Sequence, residues 1–194
     1  MITFRTPKHH WNYFLAIEKD LEKLSRYIEF SEPNLKTYSI ELTHILLSAS
    51  SEIDVIIKQL CELIDPAYQR ENINNYKDII RTKLKPFILE EISIDRYGLT
   101  YKPWIKWNGN RNPNWWRSYN NVKHQRNIFY SEANLQNTIN SVGALLITVI
   151  YYYKFAFEKE SGNEMHFKEV TRQLIPESSF IRINADYYYD LRIC

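Results

Sequence analysis

Residues 142–157 are apolar almost throughout, and that run limits what the rest of the chain can fold into. At about 16 residues it is short of the roughly 20 that a membrane span requires. It also carries Thr148, Lys154 and the tyrosines Tyr151, Tyr152 and Tyr153. A helix that is apolar on all sides and does not cross a membrane has to be buried by other helices. The sequence supplies them. Phe14, Ile17, Leu21, Leu24 and Ile28 recur at helical spacing and predict an amphipathic helix over 11–30. A wider stripe from Leu35 through Leu42, Ile45, Ala49, Ile53, Ile57 and Leu60 predicts a second over 35–64. Pro33 separates the two, and so short a join makes them antiparallel.

A third helix is expected over 72–84, capped by Asn72 or Asn74 and ended by Pro86, a fourth over 113–129 and a fifth over 132–157. Between the third and fourth, Ile92 and Ile94 alternate with polar residues, Arg96-Tyr97-Gly98 reads as a turn, and residues 99–102 alternate again. The expected fold class is therefore all-α: an antiparallel bundle of four or five long helices with a small irregular or β-hairpin insertion. Residues 180–184 read as a further strand and Tyr187, Tyr188 and Tyr189 as an aromatic anchor. Residues 1–160 form the expected helical domain, and residues 161–194 an extension packing on it. Four glycines and seven prolines exclude a many-turned sandwich, and so few glycines leave no phosphate-cradling loop or dinucleotide fingerprint.

The net charge of +2 means that any basic surface is local. Cys61 and Cys194 make neither a disulfide framework nor a zinc site, and Cys61 reads as a core residue. His9 and His10 read as incidental, and His44, beside Ile45, as a packed and hydrogen-bonded side chain. No metal or cofactor is expected. Residues 1–10 contain no apolar segment of the kind a secretion signal carries, so a cytoplasmic location is the expectation, with no membrane partner.

The chemistry points to the fourth helix. Asn112 is a candidate cap, with Pro113 at the first helical position. Arg117 and His124 are seven residues apart, which at 3.6 residues per turn brings them back to within about 20° of one line. Asn120 and Asn121 flank that line, and Lys123 and Arg126 add positive charge. A permanent cation, two amides and an imidazole on one face suit a phosphodiester: arginine grips the phosphate and histidine moves protons. Trp104, Trp107, Trp115 and Trp116 are expected to bury the lead-in loop, with base stacking as the alternative for one of them.

The run Trp115-Trp116-Arg117-Ser118-Tyr119-Asn120-Asn121-Val122-Lys123-His124, with Ser51-Glu52-Ile53-Asp54 on the second helix, resembles the HEPN family (higher eukaryotes and prokaryotes nucleotide-binding domain). That family's signature is Arg, four to six residues, then His. The resemblance covers roughly residues 10–158. It implies a metal-independent endoribonuclease, often a toxin or anti-phage defence effector, that acts as a homodimer on RNA and answers to an antitoxin or defence-system partner. Arg117 and His124 would be catalytic. Asn120, Asn121, Ser118, Glu52 and Asp54 would support them, and Lys123 and Arg126 would bind RNA. Ser118 stands where active members often carry Asn, Asp or His. The alternative is therefore a catalytically inactive module that binds RNA, a nucleotide or a protein.

Overall fold

The computed structural model describes residues 7–67 and 71–188. Its centre is the pair α2 (Ile40–Ile64) and α6 (Leu135–Ser161). Ser39 caps α2 by accepting from the Leu42 N–H, and Asn134 caps α6 by accepting from the Asn137 N–H. The two starts are tied together. The Leu135 and Gln136 N–H groups donate to the carbonyls of Thr37 and Leu35 at 2.9 and 3.0 Å. The Thr138 hydroxyl donates to the Leu42 carbonyl at 3.2 Å. Further along both helices, His10 bonds Glu52 on α2 and packs edge-on against Tyr152 on α6. The central pair thus runs parallel, and this part of the expected antiparallel bundle is corrected. The physical reason is the long crossover over residues 65–134, which returns the chain to the end where α2 began.

The flanking helices are antiparallel to that pair, as expected. On α1 (His9–Leu24), His10 meets Glu52 and Gln59, while Leu24 and Tyr27 face Glu41 and His44 at the opposite end of α2. On α5 (Asn114–Phe129), Ser118 bonds Asn137 and Asn121 bonds Glu132, so the later α5 residue meets the earlier partner.

The helix α6 is 27 residues long, beyond the apolar run that announces it. By length and composition it could cross a membrane, yet 72% of its most apolar window is buried within the molecule. Leu145, Leu146, Ile147, Val149 and Ile150 are fully buried. Each such side chain contributes about 1.5–3 kcal/mol relative to exposure.

The insertion is larger than a hairpin. Strands β1 (Ile92–Ile94) and β2 (Leu99–Tyr101) pair antiparallel around Gly98, and β3 (Arg182–Ile183) pairs with the other edge of β1. Ile92 and Ile94 point into the core. Gly143 on α6 lets the sheet approach, since a Cβ there would stand 2.7 Å from Ile92 Cγ1. The helix α3 (Ile73–Lys83) is capped by Asn72 as expected. It ends at Lys83, before Pro86 as expected, and Pro86 then sits in the first turn of a further short helix, α4 (Lys85–Leu89), where its missing N–H costs nothing.

The helix α7 (Phe167–Gln173) and the residues after it pack on this body. Two buried carboxylates hold them. Glu18 of α1 accepts from the Ser178 hydroxyl at 2.5 Å, from the Phe180 and Ile181 N–H groups at 2.9 Å each and from the Ser179 N–H at 3.4 Å. Glu90 accepts from the phenols of Tyr151 and Tyr187, and Phe167 stacks on Tyr187. Burial pushes both phenol pKa values well above the ordinary tyrosine value. Residues 1–6, Tyr189 and Cys194 lie outside the described residues.

Candidate functional site

One side of α5 is pinned and the other is free. Trp115, Trp116, Tyr119 and Val122 are buried, and so are Trp104 and Trp107 from the loop before it. The Trp115 indole N–H donates to the Pro103 carbonyl, that of Trp104 to the Ala144 carbonyl and that of Trp107 to Asn112 Oδ1. Indoles with bonded N–H groups and buried rings form a rigid seat for the helix.

Asn112 does not cap α5. Its side-chain carbonyl accepts from Trp107 and its amide donates to Asn74, so Pro113 becomes the N-cap residue without a side-chain cap. Arg117 and His124 both lie on the exposed side. Among the described residues neither side chain makes a hydrogen bond or ion pair, nor do the two bond to each other. The rise of 1.5 Å per residue separates their Cα atoms by about 10 Å along the axis. Side chains on a helix lean toward its N-terminus, so Arg117 leans away from His124, toward the first turn. Directly after His124 the helix breaks, with Gln125 at φ −140° and ψ 52°. Arg126 therefore belongs to a differently directed piece, and it lines a separate groove of about 480 Å³ with His44 and Tyr130. His44 is exposed there, not packed as expected.

The supporting residues divide. Ser118 is buried and accepts from Asn137 Nδ2 at 3.1 Å, which takes it off the exposed face. Asn121 donates to Glu132 Oε2 at 3.0 Å. Asn120 donates to the Trp116 carbonyl and still lines open space beside Arg117. Lys123 lies over the Tyr119 ring, 5.4 Å from its centroid. Glu52 is corrected outright: it bonds His10 Nδ1 at 2.6 Å, on the side of α2 that faces α1. His10, read as incidental, thus has a carboxylate partner. Asp54 lies close enough to α5 to feel the charge of Lys123. Burial raises its pKa above the ordinary value, opposed by the positive charges of Lys123 and Lys58.

The space beside Arg117 is a cleft of about 520 Å³ between the first turns of α5, the start of α3 and the lead-in loop. It brings Lys106 and Arg111 to Arg117, with Asn114 and Asn120 between them. Nothing in the sequence sets Lys106 and Arg111 apart, although a loop running into a helix start has to pass that helix's first turn. Among the described residues no tail residue lines the cleft. No group of three or more His, Cys, Asp or Glu residues able to hold a metal ion occurs among the described residues. The site is therefore an exposed Arg–His line that ends in a basic cleft on a helical bundle. Neither a family model, nor a curated protein, nor a solved structure matches the chain.

Proposed function

We propose that the chain is a HEPN-like, metal-independent endoribonuclease. The observation that carries this reading is that Arg117 and His124 are both exposed and unpaired on the one side of α5 that the fold does not use. RNA brings its own nucleophile, the 2′-hydroxyl. His124 takes the 2′-hydroxyl proton as O2′ attacks phosphorus. Arg117 neutralises charge on the phosphate oxygens. The P–O5′ bond breaks, and the departing oxygen is protonated, leaving a 2′,3′-cyclic phosphate and a 5′-hydroxyl. One imidazole cannot serve both proton steps at once. A homodimer with two facing α5 helices supplies the second. The separation of Arg117 and His124 along α5 within one protomer favours the same arrangement. A role as a cytoplasmic toxin or defence effector, restrained by a partner protein, goes with the family resemblance.

The second reading is a module of the same fold that binds RNA, a nucleotide or a protein without cleaving it. The loss of Ser118 to Asn137 and the lack of any group orienting His124 favour it. Purified wild type, Arg117→Ala and His124→Ala incubated with total RNA separate the two. The enzyme reading expects a loss of about 100-fold or more in each variant, unchanged thermal melts, and no effect of EDTA. Equal cleavage by all three proteins overturns it. RNA binding without cleavage by the wild type establishes the second reading.

A further inference from the structure

The cleft at the start of α5 has more positive charge than one phosphate contact needs, and Arg117 is one of the residues that line it. Among the described residues three cations, Lys106, Arg111 and Arg117, line it, and no carboxylate does. In a chain of net charge +2 such a concentration is local and unbalanced. The Lys106 ammonium is held in place by Asn114 Oδ1 at 2.5 Å. That bond occupies the amide oxygen of Asn114, a lining residue whose NH2 group is a further donor. Asn120 is held by its bond to the Trp116 carbonyl. Donors thus converge from the lead-in loop and from the first two turns of α5 around a space large enough for a phosphate and part of a sugar. The two halves of the wall are locked together, since the Asn112 amide bonds Asn74 on α3.

We propose that this cleft is a phosphate subsite for the RNA chain, distinct from the point of cleavage: it holds a phosphodiester flanking the one at His124. The subsite rests on the RNA reading above and names where the substrate is anchored. The cleft adds a second phosphate contact to the one at His124. Lys106 and Arg111 hold a phosphate in the cleft, while Arg117, between them and His124 along the chain's exposed line, serves the phosphate that is cleaved. Phosphate contacts of this kind position a chain without reading its sequence. The cleft therefore sets which stretch of RNA lies across His124, and substrates too short to fill it are cleaved poorly.

The test uses the full chain and a fluorescein-labelled 2′-O-methyl RNA decamer, which has no free 2′-hydroxyl nucleophile and stays intact. Binding is followed by anisotropy over a salt series. The Lys106→Ala/Arg111→Ala double variant is expected to bind at least 10-fold more weakly, with a shallower salt dependence, by about 0.7 in log–log slope for each phosphate that is no longer neutralised. Lys168→Ala, an exposed lysine on α7, is expected to bind as wild type does. Thermal melts of all variants verify folding, and Arg111→Gln serves alone if the double variant melts early. Wild-type affinity and slope in the folded double variant overturn the subsite, as does failure of the wild type to bind the probe. Displacement of the probe by micromolar ADP assigns the cleft to a free nucleotide and overturns it too. Binding is read apart from cleavage. A decamer that binds through the cleft while total RNA stays intact removes the nuclease and keeps the subsite. Cleavage that depends on His124 with unaltered binding by the double variant does the reverse.

Discussion

The outer side of α5 and the segment over residues 174–188 are both rich in polar groups, but the fold treats them in opposite ways. In the tail, polar groups are spent internally. Glu18 is 3% exposed, with four donors aimed at it, and Glu90 holds two phenols. On α5, Arg117 and His124 are in water with no internal partner. A polar group that the fold consumes is explained by stability. One that the fold leaves idle on a rigid support is available for a ligand. That contrast separates the carboxylates of Glu18 and Glu90 from the candidate site, although all are chemically reactive types.

The contrast can be broken by exchange. Glu18→Ala strands the buried N–H groups of Phe180 and Ile181, while the Ser178 hydroxyl keeps the Ile181 carbonyl as its acceptor, so it should cost about 3 kcal/mol. For a chain of this size that lowers Tm by roughly 6–12 °C, whereas Arg117→Ala and His124→Ala should shift it by about 2 °C at most. A calorimetric scan that ranks them the other way would end the division. Tyr187→Phe removes one donor from Glu90 and keeps the ring stacked on Phe167. A loss of about 1 kcal/mol is expected, read as a midpoint change in urea with an unchanged slope.

The smallest effect belongs to Asp54. Its pKa is raised in the folded protein, so its ionised form opposes folding. The unfolded value is near 3.8. The stability it contributes is complete below that pH and is lost as pH rises through the raised folded value. Asp54→Asn should therefore melt with the wild type at pH 3 and slightly above it at pH 7, by about 1 °C at most because the residue is exposed and solvent screens the effect. A variant that melts lower at pH 7 would mean that the attraction of the Lys123 and Lys58 charges outweighs burial.

Local signals were legible in the residues. Asn72 caps the helix that follows it, Arg96-Tyr97-Gly98 turns the hairpin, and Arg117 and His124 share the exposed side of α5. What could not be read there depends on partners far along the chain. Glu18 meets residues more than 150 positions away, Glu52 meets His10, and β3 finds β1. No periodicity encodes such pairings. The break at Gln125 involves neither Pro nor Gly, so no residue type announces it. The cleft is hidden for a related reason: Lys106 and Arg111 look like ordinary loop cations until the tryptophans fold the loop back against α5.

The bridge between the starts of α2 and α6 also has a kinetic meaning. Thr37 and Leu135 meet only when the intervening chain has closed into a loop, and that closure costs entropy before any contact rewards it. The Arg–His helix is part of the closing loop. Its seat against Leu46 and Asn137 does not exist until the loop shuts. A nascent chain therefore has no assembled Arg–His surface until its last long helix has been made, and arming of the site is timed by completion of the fold.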